Sequence, residues 1–492
     1  MLVFEFFARA GSVQIIMTVV LLLAVFTPII GAFLVPLAGK ISETLRNISA
    51  LLLVLTAVVC SAILVPTALS DQPTLIKVWL PLGLSFGFQA DGLAVFMALI
   101  SSFVGAIIVF YSFTYIGQHR NTNEYYLMIT LFIGVMMGLV YSTNLIFLYI
   151  FWEISAICCW RLIGYYRQPE YIWRADKAFL MTVFGALVML LGFLLIYAQT
   201  QTFDLTAMKG VQLSNLAVTL VLVGLLSKSA TLPLHTWLPD AGVAPSPVTS
   251  LLHAAVLVKI GVYAFARFFL VTFSIDAIWH TVVPIIAAVS ALVAAAAALR
   301  EQDLKRIIAY STVSQIGFIF LGLSTGNSLS LAGGLLYILM HSLAKGGLFL
   351  CAGIVEHNTH TKDIRQLGGL LRTMPVTAIC FLVCGLSVMG LPPLGGFFSK
   401  YMVIGGSAAA GNPWITAVFV FGTLLTIVYL LRAFNAVFLG KPRNNRTPQE
   451  ASRSMVASVV GLAALSLAAG LLIYFPAEFV QQIVQQISGG LL

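Results

Sequence analysis

Residues 227–268 read SKSATLPLHTWLPDAGVAPSPVTSLLHAAVLVKIGVYAFARF. Lys228 and Lys259 each stand in an apolar run long enough to cross a bilayer, and Pro233 and Pro239 interrupt the first of these runs. A charge at membrane depth costs about 3 kcal/mol on insertion scales, so it persists mainly where it carries charge or binds ions. Proline removes a helix donor and clashes with the preceding turn. Irregular backbone at that depth survives only when packed in protein or facing a wet cavity. The stretch therefore reads as a broken membrane helix with an ionisable group beside the break.

The pattern recurs downstream. GLSVMGLPPLGGFFSK (385–400) places Pro392, Pro393, Gly395 and Gly396 just before Lys400. Lys345 and Glu153 interrupt two further apolar runs. These five ionisable residues are the strongest functional signal in the chain.

Composition agrees with a membrane protein. The 492 residues are 60% hydrophobic and 9% charged, with mean hydropathy +1.01. Soluble domains carry about 25% charged residues. The net charge of +9 is spread over short loops rather than one soluble face, which excludes nucleic-acid binding and leaves the lipid bilayer as the surrounding partner. All six cysteines lie in apolar runs without C-x-x-C spacing, so no iron–sulfur or zinc site is supported. No dinucleotide or phosphate-binding glycine loop opens a helix after a strand. The sequence thus predicts no cofactor, no metal and no redox centre on this chain.

A crossing needs about 20 apolar residues. Fourteen runs qualify: 13–38, 48–70, 90–116, 125–141, 144–165, 178–199, 213–238, 247–270, 279–299, 305–324, 330–355, 375–402, 413–437 and 455–475. The first is too long for a signal-peptide core and lacks a small-residue exit. Residues 74–88, TLIKVWLPLGLSFGF, alternate and suit a short external hairpin. With the N-terminus outside, eighteen of the 26 Lys and Arg fall in cytoplasmic loops. Four are external (Arg9, Lys77, Lys209, Arg267) and four intramembrane. That bias predicts both termini outside.

Interrupted helices at matching places in two halves mark transporters built from repeats. Spans 4–8 would mirror spans 9–13, and an odd number of spans inverts the second copy. The expected fold is an all-α integral membrane protein of about fourteen transmembrane helices, with two inverted five-helix repeats and broken helices 7 and 12. Its parts are 1–116 (spans 1–3 and the hairpin), 117–270 (first repeat), 271–440 (second repeat) and 441–492 (basic loop and span 14).

Burial penalises the charged form, driving a lysine toward neutrality and a glutamate toward protonation. Lysine can therefore exchange a proton where arginine cannot. Two opposite charges about 4 Å apart at an effective dielectric of 20 attract by about 4 kcal/mol, enough to hold or release a proton. Glu153 and Lys228 are expected to form such a pair. In span 8, His253 and Lys259 are near neighbours along one side; in span 11, His341 and Lys345 share a face at i and i+4. A neutral imidazole both accepts and donates, so it can link lysines. His235 and Asp240, beyond the first break, read equally as inlet groups or as groups that fix the loop. His357 and His360 read as solvated, and Lys400 as lying near the external end of span 12.

Three stretches carry a family resemblance: FWEISAICCWRLIGYY (151–166), the opening stretch 227–268 and QDLKRIIAYSTVSQIGF (302–318). They resemble the antiporter-like subunits of respiratory complex I, of membrane-bound nickel–iron hydrogenases of the formate hydrogenlyase type, and of Mrp cation/proton antiporters. The resemblance covers roughly residues 90–440. It implies a proton path through Glu153, Lys228, His253, Lys259, His341, Lys345 and Lys400. The short tail after span 14 fits a compact, middle-type member.

The resemblance implies other membrane subunits as partners, further antiporter-like chains among them, in the cell inner (plasma) membrane. The leading expectation is a proton-translocating subunit of a complex I-related redox complex, NADH/ferredoxin:quinone oxidoreductase or membrane-bound hydrogenase, with peripheral redox subunits. The alternative is a subunit of a multisubunit Mrp-type Na⁺/H⁺ antiporter without them.

Overall fold

The computed structural model describes residues 2–70, 72–81, 85–117, 119–442 and 448–489. The chain ends, the hairpin tip at 82–84, Arg443, Arg446 and the Arg9 side chain lie outside that description.

The chain is an all-α membrane protein. In order come α1 (Leu2–Ile41), α2 (Glu43–Ile63), the single turn α3 (Val65–Ala68), a hairpin of β1 (Thr74–Trp79) and β2 (Ser85–Ala90), then α4 (Gly92–Tyr115), α5 (Thr122–Tyr141), α6 (Leu145–Ile163) and α7 (Pro169–Thr200). The expected hairpin is present and antiparallel, with Thr74 opposite Ala90 and Trp79 opposite Ser85. Next are α8 (Asn215–Lys228), α9 (Trp237–Asp240), α10 (Ser246–Ser250), α11 (Leu257–Ala266), α12 (Trp279–Arg300), α13 (Leu304–Ser324) and α14 (Ser328–Thr359). The chain continues through α15 (Pro375–Met389), α16 (Gly395–Ala409), α17 (Pro413–Phe438), α18 (Arg453–Leu471) and α19 (Tyr474–Gly489).

Among the described residues, twelve helical segments are long and apolar enough to cross a membrane. Two expected crossings are not among them, because each is cut in two. Span 7 is α8 followed by an irregular stretch and α9; span 12 is α15 followed by α16.

Local chemistry sets these boundaries. The side chains of Asn144, Asp303 and Asn327 each accept two backbone N–H groups at the starts of α6, α13 and α14, satisfying donors that a helix start leaves free. Proline opens α7, α15 and α17, where its missing donor costs nothing. Elements recur in the two halves at a near-constant interval. Asn144 bridges Asp204 as Asp303 bridges Asp363. Gln201 ends α7 and His360 ends α14, both left-handed.

α13 and α14 are enclosed on nearly every side, whereas α1 and α17 turn most of their surface outward. α7 likewise presents Leu180, Phe184, Leu187 and Leu191 outward, as a lipid-facing helix should. α14, which carries His341 and Lys345, and span 8, which carries His253 and Lys259, are thus among the most enclosed.

Two expectations need correction. Span 8 is not one regular α-helix: residues Leu251–Ala255 and Arg267–Thr272 form π-helical turns. The run LLHAAVLVK contains no proline or glycine to announce the first of them. Beyond span 14, α19 packs Val480, Ile483, Val484 and Ile487 inward. Its glutamines face a cavity of about 960 Å³ that is also lined by Asp91 and Arg267.

Candidate functional site

Lys228 is the last residue of α8 and is fully buried. Helix hydrogen bonding stops there, and Ala230 follows in left-handed conformation, φ 51°. The Lys228 Nζ donates to the Trp152 carbonyl at 3.2 Å and lies 5.4 Å from the centre of that indole. Glu153 is on the same α6 turn, half-buried, beside Tyr149. The expected close ion pair is absent among the described residues. Glu153 and Lys228 sense each other's charge, but the ammonium is held by a backbone dipole and an aromatic face. The Glu153 Oε1 is buried without a hydrogen-bond partner.

Lys259 is buried on α11. Its Nζ lies 2.6 Å from His341 Nδ1 and 3.4 Å from the His253 carbonyl oxygen. The Lys259–His341 contact joins two nitrogen bases. One proton between them can sit on the amine, with imidazole accepting, or on the imidazole, with the amine accepting. A π-turn over Leu251–Ala255 separates His253 from Lys259 along span 8. The His253 ring lies on Phe349, centroids 4.4 Å apart, and neither ring nitrogen has a partner. π-Turns concentrate at functional sites.

Lys345 is one turn beyond His341 on α14, and its Nζ donates to the Ile308 carbonyl at 3.0 Å. Between it and Lys400 runs a neutral network that sequence reasoning did not single out. The Tyr337 hydroxyl donates to Gln315 Oε1 at 2.5 Å, and the Tyr429 hydroxyl donates to Ser311 at 2.8 Å. Gln315 Nε2 reaches Thr426 at 3.2 Å. Lys400 lies 4.5 Å from the Phe318 ring centre and 5.6 Å from that of Tyr337.

The expectation that Lys400 sits near the external end of its span is overturned. α16 continues to Ala409, and the Lys400 Nζ turns back across the break to the Val388 carbonyl at 2.8 Å. At 3% exposure it does not reach outward.

On the expected cytoplasmic side the loop groups also sort themselves. Asp240 accepts from Lys177 at 2.7 Å and from Arg306 at 2.8 Å. These two cations clamp its carboxylate between α7 and α13. Asp240 therefore fixes the loop. His235 approaches the Pro233 carbonyl at 3.3 Å. His357 is not fully solvated as expected; it packs against Tyr115, centroids 5.7 Å apart, while His360 is exposed. Lys305 is not a loop charge either. It is buried and paired with Glu356 at 3.0 Å, and no sequence signal joins two residues so far apart.

The structure thus brings Lys259, His341, Lys345 and Lys400 within electrostatic reach of one another, while Lys228, equally buried, is held separately by the Trp152 carbonyl and ring. His253 borders the first four, and Glu153 acts on Lys228.

Residues 142–426, more than half the chain, match the family model described as "NADH:quinone oxidoreductase/Mrp antiporter, TM"; residues 79–126 match "NADH-Ubiquinone oxidoreductase (complex I), chain 5 N-terminus". The chain is 36% identical to a Na⁺/H⁺ antiporter subunit of Alkalihalophilus pseudofirmus, over 81% of its own length and 54% of that protein's. It is 35% identical to a Na⁺/H⁺ antiporter subunit of Staphylococcus haemolyticus, over 84% and 55%. It spans about half the length of these relatives.

A chain of the Mrp complex from a Dietzia strain superimposes with TM-score 0.88 at 22% identity, covering 96% of this chain and 98% of that one. A chain of the membrane-bound sulfane sulfur reductase, an archaeal respiratory membrane complex, gives TM-score 0.85 at 24% identity, covering 95% and 97%. At those identities the two structures speak to the fold alone. The chain belongs to the antiporter-like membrane-subunit family that NADH:quinone oxidoreductases share with Mrp antiporters.

Proposed function

We propose that this chain conducts protons as a membrane subunit of a multisubunit Mrp-type Na⁺/H⁺ antiporter. The observation that carries the proton path is the 2.6 Å contact between Lys259 and His341 within a fully buried row of bases. The lysines of this row bury their amines on carbonyls and imidazole without a close carboxylate pair, and burial penalises the charged form of such a group. The path runs along Lys228, His253, Lys259, His341, Lys345 and Lys400, with Glu153 modulating Lys228.

The names of the curated relatives favour the antiporter over the redox complex that leads on sequence alone. Partners are then further membrane subunits, other antiporter-like chains among them. The setting is the plasma membrane, with both termini outside. The matching breaks and bridges of the two halves support five-helix repeats at 117–270 and 271–440.

The matching family model, whose description names NADH:quinone oxidoreductase beside Mrp antiporter, sustains a second reading, a redox complex with peripheral subunits. Purifying the intact complex and identifying its chains separates the two. The first reading expects only membrane subunits, together with Na⁺-driven dissipation of a pH gradient in inside-out vesicles. A copurifying iron–sulfur or hydrogenase-like chain would overturn it in favour of the second.

A further inference from the structure

The buried row needs a way in from water, and the loop beyond the first break does not offer an obvious one. Asp240 there is clamped between Lys177 and Arg306. A different cluster lies at the base of span 8. The Lys305 side chain is 2% exposed and donates to the Ala244 carbonyl at 2.9 Å and to Glu356 Oε2 at 3.0 Å. Ser246, the first residue of α10, donates to the same Oε2 at 3.2 Å, and the Tyr115 hydroxyl reaches Ser246 at 3.3 Å.

Glu356 itself is 29% exposed. One carboxylate therefore touches both solvent and a buried ammonium. The packing that makes this possible is tight. A Cβ on Gly353 would stand 2.4 Å from the Ser246 Cβ and 2.8 Å from the Tyr111 hydroxyl, so only glycine lets α14 approach α10 this closely.

The cluster also points inward. Ser246, Ser250 and His253 follow one another up the same segment, and Ser250 donates to the Gly346 carbonyl of α14. The Lys305 charge acts on His253 alongside those of Lys345 and Lys259. His253 has two unpartnered ring nitrogens, fully buried. A buried polar group without a partner calls for an explanation, and a base awaiting a proton is one.

We infer that Glu356 and Lys305 form the proton inlet of this subunit, delivering to His253 along the Ser246–Ser250 side of span 8. The Lys305 ammonium yields one proton inward to the neutral His253 imidazole. The amine left behind takes one proton from solvent by way of the Glu356 carboxylate, which returns to its anionic form. One proton enters per cycle and neither residue changes net. This inference rests on the proton-path reading of the lysine row. The bland alternative is that the pair only ties α10 to α13 and α14.

The test uses the complete complex in inside-out vesicles from an antiporter-deficient host, with assembly followed on native gels. Lys305→Arg keeps the ion pair and the tie but cannot release a proton. Glu356→Gln keeps the hydrogen bonds but not the proton exchange. Both should assemble normally, lower Na⁺/H⁺ exchange by about tenfold or more, and leave the Na⁺ concentration for half-maximal exchange unchanged. Near-normal exchange in Lys305→Arg would reduce the pair to a tie and overturn the inlet. That variant decides the matter even if Glu356→Gln fails to assemble. Lys259→Ala, measured alongside, separates the two levels. If it exchanges normally, the proton path itself falls. If it is inactive while Lys305→Arg is active, only the inlet falls.

Discussion

The two helix breaks end by the same hydrogen bonds and are armed differently. After α8, the Thr231 N–H bonds to the Leu226 carbonyl; after α15, the Leu391 N–H bonds to the Leu386 carbonyl. The left-handed residue is Ala230 in the first and Gly390 in the second. Lys228 precedes the first break by two residues. Its counterpart before the second is Val388, whose carbonyl receives the Lys400 amine from beyond the break. Lys400 in turn occupies the place that Asp240 holds in the first half. The same backbone device thus presents a lysine from one side in the first half and from the other side in the second. The first lysine has a carboxylate in electrostatic reach; the second has two aromatic faces. A charge near Lys228 can be tuned by a neighbouring acid. The charge on Lys400 is steadied only by dipoles and rings.

The largest expected effect tests whether the two breaks serve one path at all. Lys259 lies between them, joined to His341. Lys259→Ala should lower exchange by at least about a hundredfold, the scale of a lost proton-transfer group. Lys259→Arg should be nearly as damaging, since arginine holds its proton. Full exchange in the arginine variant would mean that a fixed charge suffices, and the two breaks would then act independently.

Next comes the carboxylate that distinguishes the first break. Glu153→Gln should lower exchange strongly, though less than Lys259→Ala does, while the complex still assembles, because Lys228 loses the carboxylate that acts on it. The Lys228 contacts to Trp152 are untouched by that change. Wild-type exchange in Glu153→Gln would show that Trp152 alone controls the first lysine. At the second break, Lys400→Gln keeps a hydrogen-bond donor to Val388 but removes the exchangeable charge, and should lower exchange by about tenfold. Unchanged exchange would leave Lys345 as the last group of the row.

Much of this comparison is legible in the sequence, for a physical reason. Proline, glycine and lysine inside apolar runs each violate what a lipid-spanning helix tolerates, so Lys228, Lys259, Lys345, Lys400 and both breaks stand out. Other parts leave no such mark. The π-turn at 251–255 arises in a run of ordinary helix formers, so it is invisible beforehand. The Gln315–Tyr337–Tyr429 network uses uncharged residues that interrupt no apolar run, and only packing brings α13, α14 and α17 together. Lys305 reads as a loop charge because it borders a helix start, and its burial depends on the distant Glu356. The direction of the Lys400 side chain depends on where α16 ends, which apolar patterning placed several residues too early.

The smallest expected effect sharpens the comparison at the backbone itself. Gly390 has φ 82° and caps α15, its N–H bonding to the Leu386 and Ser387 carbonyls. An L-residue in this region costs about 1–2 kcal/mol. A Cβ there would also stand 3.0 Å from the Lys400 Cδ. Gly390→Ala should therefore destabilise the folded complex by about 1–2 kcal/mol and disturb Lys400 as well. Ala230 already bears such strain at φ 51° and is fully buried. Ala230→Gly relieves it but loses one buried methyl, about 0.8 kcal/mol, and gains unfolded-state freedom, about 0.5–1 kcal/mol. These terms nearly cancel, so Ala230→Gly should leave stability within about 1 kcal/mol of wild type. Thermal unfolding of the purified complex, read beside exchange, checks both. Equal losses in the two variants would mean that the breaks differ only in where their lysines are attached. A loss confined to Gly390→Ala would locate the stricter backbone requirement at the second break, where the lysine folds back over the turn.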